Sequence, residues 1–233
     1  MTSWFTRKKT ETLFYFQKTL FLQQNRNKMN FIAFKAKMQE LVCFNLNQIY
    51  AFQPDFDRNN LLRWKKKGYL IALRNGCYTF SDFLGKPDYA YFFANKMYQP
   101  SYVSLHSALA FYGIIPEAVV QITSVSSLKT TFFSNSFGEF SYKKMKNELM
   151  FGYDLKPMDK RRNLLFATPE KAILDLLYLY PFYNNEQEIS ELRFDEAFMQ
   201  DDLNVQRLNE FTEKFKSKAL QKRVNLLLKV YGI

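Results

Sequence analysis

A short polar stretch in the first third of the chain, residues 55–68, combines amide and basic side chains at helical spacing. Asn59, Arg63 and Lys66 follow one another at intervals of four and three residues, so a helix places them on one face. Asparagine can pair bidentately with adenine and arginine with guanine, whereas lysine mostly meets phosphate. This face therefore has the chemistry to contact the major groove of a nucleic acid.

The helix that carries this face has start and stop signals of its own. Asp55 or Asp57 can accept hydrogen bonds from the amides of the first turn, and Gly68 can end the helix. Leu61 and Trp64 lie three residues apart, so we expect both to face a core, opposite the polar face. A solvated helix with a lysine-rich end is the alternative interpretation of the same pattern.

A hairpin signal follows the helix directly. Two apolar and aromatic runs, residues 69–74 and 77–80, flank Asn75-Gly76, a strong two-residue turn signal. A basic helix followed at once by a tight hairpin is typical of the recognition helix and wing of a winged helix-turn-helix domain. The candidate DNA contacts on this helix and wing are Arg58, Asn59, Arg63, Lys66, Lys67, Arg74 and Asn75.

The residues ahead of this helix complete the order of a winged helix-turn-helix. Apolar residues repeat at helical spacing over residues 29–44, and Asn45 can cap a short second helix that ends before Pro54. We therefore assign residues 29–84 to a DNA-binding domain.

Positive charge is concentrated in the same part of the chain. The 233 residues carry a net charge of +11. Residues 1–87 hold 15 Lys and Arg against 5 Asp and Glu, a net charge of +10, whereas residues 88–233 hold 18 against 17. A strongly basic N-terminal part joined to a nearly neutral remainder of the chain is typical of a protein that binds a polyanion through one domain.

Residues 1–28 form an extension ahead of this domain, in which apolar segments alternate with basic residues. An amphipathic helix that packs on a partner or on a membrane surface is one interpretation. A frayed extension and a true translation start at Met29 are the alternatives.

Beyond the hairpin the sequence predicts a second unit of mixed helix and strand. Residues 85–100 are expected to form a connector with an aromatic helix, residues 101–183 an α+β domain, and residues 184–233 a helical tail. The helices expected in the α+β domain cover residues 102–113 and begin again at Thr168-Pro169-Glu170. The expected strands cover residues 119–125, 137–142, 149–153 and 163–166. The predicted fold class is thus α+β.

The sequence offers no convincing active site. His106 is the single histidine and lies in an apolar stretch, where a structural role is the better interpretation. The glycine-rich phosphate loops and the nucleophile-elbow serine of known enzyme classes do not occur in it. We therefore expect a protein that is not an enzyme and that needs neither cofactor nor metal.

The composition also favours a particular compartment. Cys43 and Cys77 have neither metal-binding spacing nor a disulfide framework, which fits a reducing environment. The sequence has no secretory signal and no apolar run near the roughly 18–20 residues of a membrane span. We expect a soluble cytoplasmic protein that does not enter a membrane.

The second unit resembles a known family. The stretch from Tyr102 to Gly113, then Thr123-Ser124, Phe151-Gly152-Tyr153 and the segment ATPEKAILDL at residues 167–176 are similar to the AbiEi family, the antitoxins of type IV abortive-infection toxin–antitoxin systems. The helix and wing also resemble that family, through Leu61-x-x-Trp64-x-x-x-Gly68-x-Leu70 and Asn75-Gly76-x-Tyr78. The resemblance covers roughly residues 30–180, and the ATPEKA helix start is its most specific element.

The resemblance implies two activities. Members of the family repress their own operon through the winged helix, and they counteract a nucleotidyltransferase-like toxin without a stable complex, with the second domain needed for that. One winged helix reads only a few base pairs of double-stranded DNA, so we expect two copies on inverted repeats, as a homodimer or through cooperative binding. The alternative function is an RNA- or protein-binding regulatory module without sequence-specific DNA recognition.

Overall fold

The computed structural model describes residues 29–233, which form a mixed α+β protein with helices and two sheets. Two compact units are present. Among the described residues, the first contains residues 29–71 together with residues 76–81, and the second contains residues 72–75 together with residues 82–233. The interpretations of residues 1–28 given above lie outside the described residues.

The first unit follows the order helix, strand, helix, helix, hairpin. Its elements are α1 (Phe31–Met38), β1 (Cys43–Asn45), α2 (Leu46–Phe52), α3 (Asn59–Lys66), β2 (Leu70–Arg74) and β3 (Cys77–Phe80). The three strands form a sheet in the order β1-β3-β2, and β1 is antiparallel to β3. Asn45 caps α2 with a capping box that includes Gln48, as the sequence predicts for the cap.

Strand β1 corrects the sequence prediction, which continued the first helix to residue 44. The helix α1 ends at Met38, a short 3₁₀ turn follows, and Val42 takes a φ of 64° that no helix can continue. Residues 43–45 then pair with β3. Backbone pairing with a strand more than 30 residues away outweighs the local helical pattern, which periodicity alone could not show.

An aromatic cluster fills the core of the first unit. The ring of Phe34 lies between 4.7 and 6.1 Å, centroid to centroid, from the rings of Phe44, Phe56, Trp64 and Phe80. Aromatic pairs at such distances contribute about 0.5–1.5 kcal/mol each beyond the burial of their area. Because Trp64 belongs to α3, this cluster fixes one face of α3 against the unit.

The second unit is built on a six-stranded mixed sheet in the order β6-β7-β5-β4-β9-β8. Its strands are β4 (Ser101–Val103), β5 (Gln121–Ser126), β6 (Thr131–Asn135), β7 (Gly138–Lys144), β8 (Tyr153–Asp159) and β9 (Arg162–Ala167). Its helices are α4 (Pro87–Met97), α5 (Leu105–Phe111), α6 (Pro169–Leu179), α7 (Glu186–Ser190), α8 (Val205–Lys214) and α9 (Lys218–Val230), with a π-helical segment at Phe198–Asp202. The pairs β5–β7 and β4–β9 are parallel, and the remaining neighbours are antiparallel.

Three details of this unit differ from the sequence prediction. The stretch expected as one helix over residues 102–113 begins as strand β4, because Ser104 has extended backbone and α5 starts only at Leu105. Strand β6 was not expected. The prediction of a strand over residues 149–153 is wrong, since a 3₁₀ turn ends at Leu149 and β8 begins at Tyr153.

The predicted start of α6 is confirmed. Thr168 is the N-cap and its hydroxyl accepts a hydrogen bond from the Lys171 amide at 3.3 Å, Pro169 occupies the first turn, and Glu170 follows. The helix is buried over residues 170–177. Residues 85–100, expected as a connector, contain α4 and lie within the second unit.

Gly152 provides a test of the packing around α6. Its φ is +70°, and a Cβ there would lie 2.8 Å from Cε2 of Phe211 and 3.2 Å from Cβ of Lys171. We expect Gly152→Ala to lower the free energy of unfolding by about 2–5 kcal/mol, from backbone strain and overpacking together. The measurement is denaturant unfolding.

Gly85→Ala is the matched control for this prediction, because Gly85 has a φ of +75° with nothing within 4 Å of the added Cβ. Gly85→Ala should lower the free energy of unfolding through backbone strain alone, by about 1–2 kcal/mol. Equal losses in the two variants would contradict the close approach of Phe211 to Gly152.

Candidate nucleic-acid interface

The two ends of α3 are set by local hydrogen bonds. Asp57 accepts a hydrogen bond from the Asn59 amide through Oδ1 at 2.9 Å, which makes Asp57 rather than Asp55 the residue that supports the first turn. At the other end Gly68 has a φ of +72°, its amide donates to the Lys65 carbonyl at 2.9 Å, and the Tyr69 amide donates to the Trp64 carbonyl at 2.9 Å. These two bonds form a Schellman motif, as expected for a glycine at this position.

The orientation of α3 agrees with the sequence prediction. Leu61 and Trp64 are only 3% and 6% exposed, so both face the core. The seven candidate DNA contacts are all exposed: Arg58, Asn59, Arg63, Lys66, Lys67, Arg74 and Asn75. The helix contains no acidic residue, so its exposed face carries positive charge only.

Asn60 is a buried residue of α3 that the sequence analysis did not assign. It is 4% exposed, and its Oδ1 accepts a hydrogen bond from Nη2 of Arg63. The same Nη2 lies 3.7 Å from Oδ2 of Asp57, while the Arg63 side chain stays half exposed. Arg63 is therefore held by two neighbours from its own unit and still reaches solvent.

Two further side chains belong to this surface. A cavity of about 250 Å³ between α3 and β3 is lined by Arg58, Asn59, Leu61, Leu62, Lys65 and Tyr78. Lys65 and Tyr78 were not among the predicted contacts. The helical spacing could have shown Lys65, which lies seven residues after Arg58, but the approach of Tyr78 depends on the folded hairpin.

The hairpin closes at Asn75-Gly76 as predicted, and Gly76 takes a φ of +74°. Arg74 is exposed near the tip, and its Cζ lies 5.8 Å from the ring centroid of Phe133. Residues 72–75 and Phe133 both belong to the second unit. Arg74 therefore has a cation–π partner within its own unit while its side chain remains open to solvent.

A second concentration of charge lies on α6, but it is closed to solvent. Lys171 and Asp175 are both 0% exposed and form an ion pair one helical turn apart. Oδ2 of Asp175 accepts hydrogen bonds from the Tyr102 and Ser104 hydroxyls at 2.9 and 2.8 Å, and Nζ of Lys171 donates to the Tyr102 oxygen at 3.0 Å. Burial raises the pKa of Asp175 and Tyr102 and lowers the pKa of Lys171. Tyr102 and Ser104 are at most 1% exposed, so the whole network is enclosed within the second unit.

His106 lies half-buried at a cavity of about 400 Å³ in the second unit. Its ring centroid is 6.1 Å from that of Tyr180 in an edge-on arrangement. Burial lowers the pKa of His106, and the nearby Glu117 opposes this shift. The cavity lining is mainly apolar and contains neither a serine nor a cysteine. Its one threonine, Thr123, is 7% exposed, and its hydroxyl donates to the Ser104 carbonyl at 2.7 Å.

Over residues 29–233 the structure holds no group of three or more His, Cys, Asp or Glu side chains suited to a metal ion. Within those same residues, every helix is too short or too polar to cross a bilayer.

Comparison with models of known protein families finds no match for this chain, and comparison with curated protein sequences finds none either.

Proposed function

We propose that this chain is a DNA-binding repressor in which α3 enters the major groove and the β2–β3 hairpin serves as the wing of a winged helix-turn-helix. The observation that carries the proposal is the exposed face of α3: the helix itself contributes basic and amide side chains and no acidic one, and the nearby carboxylate of Asp57 pairs with Arg63. Trp64 anchors the opposite face in the aromatic core. A rigid helix with such a face, followed by a two-residue hairpin, has the form that winged helices use on duplex DNA.

In this proposal two residues read bases. Asn59 pairs with adenine and Arg63 with guanine, because both side chains have the bidentate geometry for these contacts. Asn60 and Asp57 already hold the Arg63 side chain, so less side-chain entropy is lost when it meets a base. The contact with guanine then replaces the weaker of these two interactions.

The other basic residues hold the phosphate backbone. Lys66 is the last residue of α3 and Lys67 is its C-cap, and Arg74 and Asn75 lie at the hairpin tip. The cavity lined by Arg58, Lys65 and Tyr78 has two cations and a phenol around about 250 Å³, which suits one phosphate group. These contacts fix the register of α3 on the duplex without specifying sequence.

The second unit carries the antitoxin activity in this proposal, which rests on the resemblance of residues 102–113 and 167–176 to AbiEi antitoxins. The chain then counteracts a nucleotidyltransferase-like toxin without forming a stable complex with it. Both activities belong to a phage-defence operon that the chain represses itself, through two copies on inverted repeats.

The experiment that tests DNA recognition is a titration of the purified protein against its own upstream DNA and a scrambled duplex of equal length, at two salt concentrations. Preference for the upstream DNA that persists as salt rises supports the proposal, because phosphate contacts alone weaken steeply with salt. Equal binding to both duplexes would contradict it. Tighter binding to single-stranded RNA would instead support the alternative of an RNA-binding module.

Lys65 gives a prediction specific to the phosphate contacts. Because one phosphate contact is lost, Lys65→Ala should weaken binding to the upstream and scrambled duplexes by similar factors and reduce the slope of log K against log salt by about 0.9. Binding measured at four or more salt concentrations gives this slope.

Lys146→Ala removes the same charge from an exposed site in the second unit, where the side chain is 68% exposed, and serves as the control for Lys65→Ala. The two variants should differ in slope. If Lys146→Ala lowers the slope as much as Lys65→Ala does, the general charge of the protein rather than the face of α3 determines affinity.

The antitoxin activity is tested by expressing the chain together with its cognate toxin and following growth. The paired substitutions Lys66→Glu and Lys67→Glu should abolish repression and keep the rescue of growth, because both residues are exposed outside the second unit. Loss of rescue in a variant that remains folded would place the antitoxin activity in the DNA-binding surface.

A further inference from the structure

Strand β8 forms one outer edge of the six-stranded sheet. The strand order ends with β9 and β8, so within the described part of the chain β8 has a neighbouring strand on one side only. Two apolar side chains of β8 are exposed, Leu155 by 63% and Tyr153 by 41%. An exposed edge that carries apolar side chains is the kind of surface to which another strand can add.

The backbone groups of Leu155 point toward this open side. Leu155 stands opposite Leu165 of β9. The Leu165 amide donates to Oδ1 of Asn95 at 2.8 Å, and its carbonyl accepts from Nδ2 of Asn95 at 3.2 Å, so both groups point away from β8. In an antiparallel pair of this kind, the opposite residue also directs its amide and carbonyl away from its partner. Leu155 therefore presents one donor and one acceptor at the edge.

We propose that two copies of this chain associate through β8, paired antiparallel about a twofold axis, with Leu155 of one copy opposite Leu155 of the other. This register places Asp154 of each copy directly opposite Lys156 of the other. Opposite charges that face each other across two strands stabilise the pairing, and like charges destabilise it. The twofold axis repeats the Asp154–Lys156 contact, which gives a closed, isologous dimer.

The sequence of β8 favours a second copy over an unrelated strand. Centred on Leu155, the segment Asp154-Leu155-Lys156 is complementary to itself in both charge and apolar contact. Pairing is confined to the middle of the strand. Pro157 lacks an amide hydrogen, and the ladder is irregular between Pro157 and Asp159. The short contact predicts a dimer that dissociates on dilution.

The proposal does not rest on DNA binding and is tested without DNA. Sedimentation equilibrium of the full chain over a range of concentrations should show a reversible monomer–dimer equilibrium. Asp154→Lys and Lys156→Asp should each raise the dimer dissociation constant about tenfold or more, because each puts like charges opposite each other twice. The double variant restores opposite charges and should return to within about threefold of the natural chain.

The double variant also excludes an indirect effect. Nζ of Lys156 lies 5.2 Å from the ring centroid of Tyr112, so Lys156→Asp removes a cation–π contact within the subunit. The double variant shares that loss, and its recovery can come only from the restored charge pairing. Glu148→Lys, at an exposed site of the same unit, is the control and should leave the dissociation constant unchanged.

Cross-linking tests the register. Leu155→Cys should give a disulfide-linked dimer under mild oxidation, since opposed residues in a strand pair lie within disulfide distance. Tyr153→Cys should not, because its counterpart in the second copy is four residues away along the strand. The natural cysteines Cys43 and Cys77 are buried, and the cross-linking of the natural chain gives the background level for both variants.

A natural chain that stays monomeric up to about 1 mM would overturn the proposal. So would a double variant that remains as dissociated as the single variants, or equal cross-linking through residues 153 and 155.

Discussion

Replacing Lys171 by methionine should lower the free energy of unfolding of the second unit by about 3–5 kcal/mol, because the carboxylate of Asp175 then stays buried without its cation. Methionine has a similar length and keeps the apolar contacts of the lysine stem. The lost free energy of unfolding therefore measures the effect of the unpaired carboxylate and not that of a cavity. Denaturant unfolding followed by near-ultraviolet circular dichroism measures it. A loss under about 1 kcal/mol would contradict the closed network.

The loss in Lys171→Met should depend on pH in a defined direction. Burial raises the pKa of Asp175 in the folded chain, and removing Lys171 removes an interaction that opposes this shift. The folded state then binds a proton more readily than the unfolded state, so stability falls as pH rises from the unfolded pKa of aspartate through the folded pKa. The destabilisation should be smaller in mildly acidic buffer than at neutral pH.

Two further variants isolate the charge pair. The first combines Lys171→Met with Asp175→Asn, which removes the buried negative charge. The amide oxygen at position 175 can still accept a hydrogen bond from Tyr102 or Ser104, so more than half of the lost free energy of unfolding should return. Lys229→Met is the matched control, because Lys229 pairs with Glu186 at 2.5 Å on the surface, with both side chains mostly exposed. It should leave the free energy of unfolding nearly unchanged.

Helix α3 shows which features could be predicted from the sequence and which could not. The spacing of Leu61 and Trp64 placed the core face correctly, and Gly68 ended the helix as expected, because both features depend on neighbours within one or two turns. The partners of Arg63 were not predicted. Asn60 lies three residues before Arg63, so the spacing permits the hydrogen bond, but the sequence pattern does not reveal that the fold encloses the Asn60 side chain.

In the second unit, contacts between residues far apart in the sequence were likewise not predicted. The Lys171–Asp175 spacing is visible in the sequence and would ordinarily indicate a solvent-exposed helical pair. Strand β4 and the residue after it bring Tyr102 and Ser104 to Asp175 from about 70 residues away, and these contacts turn the pair into a buried network. The strands β4 and β6 themselves were missed because their pairing partners, not their own residues, determine their conformation.

Replacing Arg63 by alanine should weaken binding to the cognate operator by about 1–3 kcal/mol and relax specificity at one base pair. The reason is that arginine supplies two parallel donors to guanine, which alanine cannot replace. Arg63→Lys should recover affinity only in part, because a lysine is a point charge without the planar fork. Titrations against the operator and against duplexes with single base changes measure both effects.

Arg63 also has a structural role that this experiment must separate. Its side chain bonds to Asn60 and lies near Asp57, so Arg63→Ala leaves the buried oxygen of Asn60 without its donor. Asn60→Leu removes that oxygen and keeps every exposed side chain of α3, while Arg63 retains only Asp57 of the two groups that hold it. If Arg63 reads a base, Asn60→Leu should retain the sequence preference and Arg63→Ala should lose it. If Arg63→Ala instead weakens the operator and a scrambled duplex by the same factor, Arg63 contacts phosphate, and the base-reading role passes to Asn59 alone.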